Sequence, residues 1–265
     1  MRFGTAELVR DLDRPSGWML LVDGTAQSYV DPDDPGHLEF EYVRLLADLA
    51  DLVSDPGQPI RAVHLGGGGC TLPRYLAHTR PGSTQVVLEA DDQLADVVRG
   101  QLGTPGFRLR SGDGRTALQH LSKGTSDLLV TDVYVGAQVP GRFATLEFVR
   151  EAKAVLTETG VYAVNIADTG VLPFARAQAA TLLAAFSHVV VLADPGVLRG
   201  RRFGNVVLGA SDRPFDLDGL RRVTARTVGR ARVEDGAVFR RTATPCTDDD
   251  PPVAPLPPAD VLKRS

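Results

Sequence analysis

From Ile60 onward, apolar runs of strand type alternate with stretches of helical spacing, and this alternation constrains the fold more than any other feature. Such alternation is typical of a parallel sheet covered by helices on both faces. We predict strands at 60–65, 85–89, 107–110, 127–132, 161–166, 188–193 and 203–210. The helices between them are predicted near 71–79, 92–101, 115–121, 145–157 and 173–186. The chain is therefore predicted to be an α/β protein.

The connection between the last two predicted strands differs from the others. Only about ten residues, Asp194 to Arg202, separate these strands, and they include proline and glycine but no predicted helix. A right-handed parallel crossover needs about a dozen residues or more and normally a helix. The last strand is therefore predicted to run antiparallel to its neighbour, as in a methyltransferase-type Rossmann fold.

Three segments of different character divide the chain. Residues 1–55 are predicted to form a small N-terminal β layer and a connecting helix, because the strand-like runs 18–22 and 27–30 flank Asp23-Gly24 and helical spacing follows over 38–53. Residues 56–243 hold the alternating strands and helices. Residues 244–265 are rich in proline and aspartate and have few apolar anchors, so this tail is predicted to be disordered or loosely attached.

Composition and charge exclude several classes of function. The 29 basic and 33 acidic residues give a formal net charge of −4, so no basic face for nucleic acid is expected. No apolar run of about 18 residues occurs, and the first seven residues lack the apolar stretch of a signal peptide, so we expect a cytoplasmic protein with no membrane partner. Cys70 and Cys246 lie far apart without metal-ligand spacing, so we expect neither a disulfide framework nor a metal site.

Four consecutive glycines, Gly66, Gly67, Gly68 and Gly69, join the first strand of the alternating region to a helix. Glycine lets the backbone pass close to a ligand and presents helix N-terminal N–H groups to it. The dinucleotide pattern G-x-G-x-x-G fails here, because the sixth residue is a threonine or a leucine from either possible start, which disfavours NAD. The loop is predicted to bind another nucleotide-like ligand; the alternative is a tight turn without a ligand.

Acidic residues follow the next three strands. Glu89 ends the second strand and can accept the hydroxyls of a ribose over the glycine loop, and Asp113 can accept from an adenine amino group in the same crevice. Asp132 ends the fourth strand and can act as a base or orienting acceptor for a nucleophile. The alternatives are that Asp113 only caps the following helix and that Asp132 is a structural acid.

Other polar residues carry weaker hypotheses. His64 lies inside a strand and is predicted to be a packed core residue rather than a base. Cys70 near a helix N-terminus could have a lowered pKa, but a small residue tolerated by the loop is the preferred interpretation. The cluster of Arg199, Arg201 and Arg202 could bind an anionic acceptor, although a solvated turn is preferred.

The segment from Trp18 to Asp132 resembles the spermidine synthase (polyamine aminopropyltransferase) family, a branch of the S-adenosylmethionine-dependent methyltransferase superfamily. The resemblance rests on 20–24 with Gln27, on Phe40-Glu41-Tyr42, on 65–69, on Glu89, on 112–114 and on Asp132, and it continues more weakly through 204–211. It implies that Gln27, Glu89 and Asp113 contact a nucleoside and that Asp132 lies beside the attacking amine. It also implies a homodimer formed through the N-terminal layer. Tyr42 and Tyr134 are assigned to an acceptor pocket; the alternative for Tyr134 is that it covers the sheet edge.

Departures from the family pattern affect the charges expected around the reaction. Gly69 stands where the family has an aspartate, Val43-Arg44 stands where it has His-Glu, and Val135 stands where it has a second acid after the fourth strand. Burying the ammonium groups of an aminopropyl donor and a diamine without partners costs several kcal/mol each. In contrast, Gly69 removes a charge that would repel the carboxylate of S-adenosylmethionine.

We therefore expect a transferase-type protein that binds S-adenosylmethionine, decarboxylated S-adenosylmethionine or methylthioadenosine, without a metal. It is expected to transfer an alkyl group to an unidentified small-molecule acceptor and not to be a standard spermidine synthase. Two alternatives remain open: a genuine polyamine aminopropyltransferase, and a catalytically silent nucleoside-binding or dimer-scaffold protein.

Overall fold

The computed structural model describes residues 4–225 and 231–258, which form two sheets. The N-terminal sheet is antiparallel, with strand order β1-β2-β3; its strands are β1 (Ala6–Arg10), β2 (Trp18–Val22) and β3 (Thr25–Val30). The large sheet contains β4 (Arg61–Leu65), β5 (Thr84–Glu89), β6 (Arg108–Ser111), β7 (Ser126–Thr131), β8 (Leu156–Asp168), β9 (His188–Ala193), β10 (Gly204–Ser211) and β11 (Arg232–Asp235). The α-helices are α1 (Glu41–Ala50), α2 (Thr71–Thr79), α3 (Asp92–Val97), α4 (Gly114–Leu118), α5 (Leu146–Val155), α6 (Pro173–Leu183), α7 (Pro195–Leu198), α8 (Leu217–Thr224) and α9 (Gly236–Phe239).

The strand order of the large sheet is β11-β9-β10-β8-β7-β4-β5-β6. The strands β6, β5, β4, β7 and β8 are parallel to one another, whereas β10 is antiparallel to both β8 and β9. The predicted antiparallel last strand of the alternating region is therefore confirmed. One detail is wrong: a single helical turn, α7, occupies the connection, and Asp194 caps it by accepting from the backbone N–H groups of Gly196 and Val197.

Several elements differ from the sequence prediction. The N-terminal layer has a third strand, β1, three of whose five residues are exposed because it lies at the edge of the small sheet. The helix predicted over 38–53 is limited to Glu41–Ala50, and a π-helical turn, Val98–Leu102, continues α3. The strands and helices after residue 211 were not predicted; β11 extends the large sheet by pairing with β9.

Part of the tail is attached to the domain, contrary to the expectation of a loose segment. The backbone N–H of Leu146 donates to the Cys246 carbonyl at 2.8 Å. Asp248 accepts from Arg115 Nη2 at 2.7 Å and from Thr145 Oγ1 at 2.6 Å. Ala254 is 4% exposed. Residues 244–258 therefore pack on the α4 and α5 side of the sheet, while the remaining tail residues lie outside the described ranges.

Two apolar clusters cover the large sheet. One joins α5 and α6 to the sheet, and the other joins α1 and α2 to its opposite face. His64 on β4 is buried beside Gln85 at 3.1 Å, and burial lowers its pKa to about 4, which supports the core interpretation. In the described ranges, no helix combines the length and the apolar character needed to cross a membrane.

Candidate functional site

The glycine loop between β4 and α2 lies directly against the end of β7. A Cβ atom at Gly66, whose φ is +86°, would lie 2.0 Å from the backbone oxygen of Asp132, so only glycine fits there. The Asp132 N–H in turn donates to the Leu65 carbonyl at 2.8 Å. Cys70 ends the loop in the left-handed region, at a φ of +61°, and burial raises the pKa of its thiol to about 12. The thiol is therefore a packed neutral group, and its pKa is not lowered.

Glu89 at the end of β5 holds the glycine loop from the other side. Its Oε2 accepts from the N–H groups of Gly67 at 2.9 Å and Gly68 at 3.2 Å, and its Oε1 accepts from the Asp91 N–H at 3.0 Å. A carboxylate offers about four acceptor positions, so three backbone donors leave room for one more. Glu89 is thus fixed in place and can still accept one hydroxyl.

The N-terminal sheet packs over the glycine loop. Ser28 Oγ on β3 accepts from the Gly69 N–H at 3.1 Å, and the Thr71 hydroxyl donates to the Tyr29 carbonyl at 2.8 Å. A Cβ atom at Gly69 would lie 2.7 Å from Val30 Cγ2 and 3.1 Å from Ser28 Cβ. An aspartate at position 69 therefore has no room while Val30 is present. The contacts of Ser28, Tyr29 and Val30 with the loop were not predicted, since each spans about forty positions and leaves no local signal in the sequence.

Asp113 follows β6 and caps α4. Its Oδ1 accepts from the Thr116 N–H and hydroxyl, both at 2.9 Å, and its carboxylate pairs with Arg142. Although burial opposes ionisation, Arg142 and Thr116 lower the pKa of Asp113 to about 2. The capping alternative is therefore observed, with the helix beginning at Gly114. A contact to a nucleoside stays a prediction, for which Oδ2 retains a free acceptor position because only Arg142 contacts it.

Asp132 lies at the end of a chain of amide hydrogen bonds that the sequence did not reveal. Its Oδ1 accepts from Asn165 Nδ2 at 2.9 Å, and Asn165 Oδ1 accepts from Asn205 Nδ2 at 3.1 Å. The two asparagines lie on the adjacent strands β8 and β10. Burial raises the pKa of Asp132 to about 6, and the donation from Asn165 opposes this shift. Asp132 is therefore an oriented acid that can take or release a proton near neutral pH.

Two phenols flank this acid, as the acceptor-pocket hypothesis requires. Burial raises the pKa values of Tyr42 and Tyr134 well above their ordinary range, and the charge of Asp132 contributes to both shifts. The Tyr42 hydroxyl donates to the Gln27 carbonyl at 3.4 Å. The buried Tyr134 hydroxyl makes no hydrogen bond among the described residues, although the amide of Asn205 lies near it. A polar atom on a ligand can therefore be its partner.

A cleft of about 230 Å³ opens beside these phenols, between the N-terminal sheet and the α7 segment. Its polar lining residues are Gln27, Glu41, Tyr42, Asp194, Arg202 and Asn205. Arg202 Nη2 lies 3.2 Å from Asp194 Oδ1 and 3.9 Å from Glu41 Oε2. The other oxygen of Glu41 is buried without a hydrogen-bond partner among the described residues, and burial followed by the charge of Asp194 raises the Glu41 pKa. Two carboxylates, those of Glu41 and Asp194, therefore line the cleft against the one guanidinium of Arg202, so the cleft favours a cationic ligand.

Most of the predicted site residues fall into two groups, while Asp113 caps α4 and Tyr134 does not line the cleft. The loop glycines, Glu89 and Asp132 meet around the loop, while Gln27 and Tyr42 line the cleft on its acceptor side. Val135 is 48% exposed in a turn and does not line the cleft. Within the described ranges, no group of three or more potential metal ligands occurs.

Comparison with known proteins finds polyamine aminopropyltransferases and spermidine synthases among the similar proteins. No family model matches the chain. A curated polyamine aminopropyltransferase from Vibrio vulnificus is 30% identical over 149 residues, which are 54% of this chain and 48% of that protein. The chain thus spans about half the length of the curated relatives that it matches. The crystal structure of a probable spermidine synthase from Corynebacterium glutamicum is 31% identical and superimposes with a TM-score of 0.85 over 92% of both chains.

A more distant structure shares the fold alone. Human methyltransferase-like protein 13, solved in complex with SAH, has a TM-score of 0.53 and 19% identity, covering 79% of this chain and 96% of that one. This likeness and the strand order confirm the methyltransferase-type Rossmann fold with a small N-terminal β layer. Because the resemblance to the C. glutamicum protein covers nearly the whole of both chains, this chain belongs to the spermidine synthase-like family.

Proposed function

We propose that this protein is a transferase that moves an alkyl group from the sulfonium of an S-adenosylmethionine-type nucleoside to an amine held in the cleft beside Tyr42. The observation that carries the proposal is Asp132, an acid oriented by Asn165 and flanked by two phenols, directly against the glycine loop. Membership of the spermidine synthase-like family supports the same class of reaction, the transfer of an alkyl group to an amine.

The donor side of the proposal depends on Glu89 and Asp113. Each retains one acceptor position, so Glu89 would bind one ribose hydroxyl and Asp113 the adenine amino group. The glycine loop would pass beneath the nucleoside, since its Gly67 and Gly68 N–H groups hold the Glu89 carboxylate that would bind the ribose. The bound nucleoside supplies the electrophilic carbon next to its sulfonium.

The acceptor side depends on Asp132 and the carboxylates of the cleft. Asp132 would take the proton of the attacking nitrogen as the new carbon–nitrogen bond forms and the carbon–sulfur bond breaks, leaving a thioether. Its pKa of about 6 suits this role, since the acid is mostly ionised at neutral pH and still basic enough to accept a proton. Glu41 would hold a second, distant cationic group of the acceptor through its unpaired oxygen.

Calorimetry with S-adenosylmethionine, decarboxylated S-adenosylmethionine and methylthioadenosine tests the donor side. We expect at least one of them to bind in a one-to-one ratio and Asp132→Asn to retain that binding. Mass spectrometry with a panel of amines then tests transfer: Asp132→Asn should abolish the alkylated product, whereas Asp127→Asn, at the opposite end of β7, should retain it. Binding without any product would favour the silent alternative, and no nucleoside binding would refute the proposal.

A second candidate is a genuine polyamine aminopropyltransferase. It is favoured by Glu41 and Asp194, which bring carboxylates to the cleft although Gly69 and Val135 lack them. Arg202 neutralises part of this charge, so we expect S-adenosylmethionine to bind at least as well as its decarboxylated form. Rapid formation of spermidine from putrescine and the decarboxylated donor would establish this second candidate instead.

A further inference from the structure

A second concave region lies on the other side of the α7 segment from the cleft. It has a volume of about 500 Å³ and is lined by Gly170, Val171, Arg176, Leu198, Arg199, Arg201 and Arg241. We call it the arginine pocket. Four of its lining residues are arginines and none is an acid. The arginines come from three places in the chain: α6, the turn after α7 and the segment after α9.

The charges of the arginine pocket are not balanced by nearby acids. In the part of the chain that the structure describes, none of its arginines forms an ion pair with a carboxylate. Asp168 acts on Arg176 through space, but its oxygens accept from the backbone N–H groups of Thr169 and Ala175, both at 2.8 Å. Burial and the charge of Arg241 lower the pKa of Arg176, as expected for a cation close to another cation.

The arginine pocket is a built feature rather than a set of loose side chains. Arg176 donates to the Val171 carbonyl at 2.8 Å and to the Phe239 carbonyl, and its guanidinium lies 4.7 Å from the centre of the Phe239 ring. Gly200, with a φ of +67°, packs so tightly on Gly170 that a Cβ atom would lie 2.1 Å from the Gly170 oxygen. This close contact fixes the turn that carries Arg199 and Arg201.

We propose that the arginine pocket binds a small molecule that carries adjacent phosphate groups. Guanidinium groups match phosphate oxygens in paired hydrogen bonds and stay charged at every physiological pH. The pocket volume falls within the roughly 300–1,000 Å³ of small-molecule sites. A nucleic-acid polymer is disfavoured by the net charge of −4.

Occupation of the arginine pocket would also affect the cleft. Arg199 and Arg201 line the arginine pocket, while Asp194 and Arg202 of the same short segment line the cleft. An anionic ligand in the arginine pocket would therefore place negative charge close to the segment that carries the Arg202–Asp194 ion pair. The site is distinct from the nucleoside site, so its test needs no donor and no acceptor.

Calorimetry of the full chain with inorganic pyrophosphate tests the proposal. We expect saturable binding that the double substitution Arg199→Gln with Arg201→Gln weakens about tenfold or more, as for the loss of charge-assisted hydrogen bonds. The matched control is Arg108→Gln with Arg110→Gln on β6, which removes the same charge from another exposed surface. This control should change the affinity for pyrophosphate less than about twofold, because salt screens charges that are far from the arginine pocket.

The outcomes are separable because both pairs of arginines are exposed, so neither double variant is expected to unfold. Circular dichroism checks this directly. Absence of pyrophosphate binding by the unsubstituted chain would overturn the proposal. So would an equal loss of affinity in the two double variants, since that would reveal only non-specific attraction. Retained binding in Arg199→Gln with Arg201→Gln would likewise overturn it.

Discussion

Substituting Asp132 by asparagine should stabilise the protein at alkaline pH. A pKa of about 6, against the ordinary 3.8, means that the native state binds this proton more tightly than the unfolded chain. The contribution of Asp132 to stability is therefore present below about pH 4 and is lost as the pH rises through about 6. The difference between the two protonation states corresponds to at most about 3 kcal/mol.

Urea unfolding followed by far-UV circular dichroism measures this effect. We expect Asp132→Asn to exceed the unsubstituted chain by up to about 3 kcal/mol at pH 8 and by about half as much at pH 5, because the native Asp132 is mostly protonated there. The asparagine oxygen can still accept from Asn165, so the amide chain is retained. The gain in stability should accompany the loss of transfer activity.

Asp113 is a control of opposite sign. Its pKa is lowered to about 2, so its contribution to stability is present above about pH 4 and is lost only as the pH falls through 2. Asp113→Asn should therefore destabilise the protein by up to about 2 kcal/mol, equally at pH 5 and pH 8. If Asp132→Asn were no more stable than the unsubstituted chain at pH 8, the ionised Asp132 carboxylate would not destabilise the native state. The reasoning about Asp132 would then be refuted.

Three further predictions concern the loop and the N-terminal sheet. Glu89→Gln should weaken nucleoside binding about ten- to a hundredfold in calorimetry, because it loses a charge-assisted hydrogen bond; unchanged affinity would remove Glu89 from the site. Gly69→Asp alone should destabilise the chain through its clash with Val30, whereas Gly69→Asp with Val30→Ala should fold and shift donor preference toward the decarboxylated form; equal stability of the two variants would contradict the clash. Light scattering should show a homodimer that Val9→Glu on the edge strand β1 weakens, and a monomeric unsubstituted chain at micromolar concentration would contradict this.

The sequence predicted the elements of the large sheet well because their signals are local. The short connection before β10 was enough to give its direction, and the glycines, Glu89 and Asp132 followed from the rule that ligands meet the carboxyl ends of parallel strands. The strand β1 was missed because three of its five residues are exposed and its pattern alternates only weakly.

The electrostatics of the site could not be predicted in the same way. Asn165 becomes a neighbour of Asp132 when β8 pairs with β7, and Asn205 reaches Asn165 only when β10 pairs with β8. Glu41 reaches the cleft from a helix that was assigned on apolar spacing alone. The sequence therefore shows that carboxylates are missing at Gly69 and Val135. It does not show that the fold places those of Glu41 and Asp194 in the cleft. The steric cause of the glycine at position 69 was equally hidden, because Val30 belongs to the other sheet.

The position of β10 between β8 and β9 has a consequence for synthesis of the chain. The ribosome completes β8 and β9 before β10. In the folded sheet, however, β10 lies between β8 and β9 and pairs with both of them. Until residue 211 has emerged, β8 and β9 therefore carry unpaired edges of long, buried, apolar strands. Such edges are prone to pair with other chains. Nascent chains that stop before β10 should therefore aggregate more readily than chains that include it, because this half of the sheet closes only when β10 is inserted.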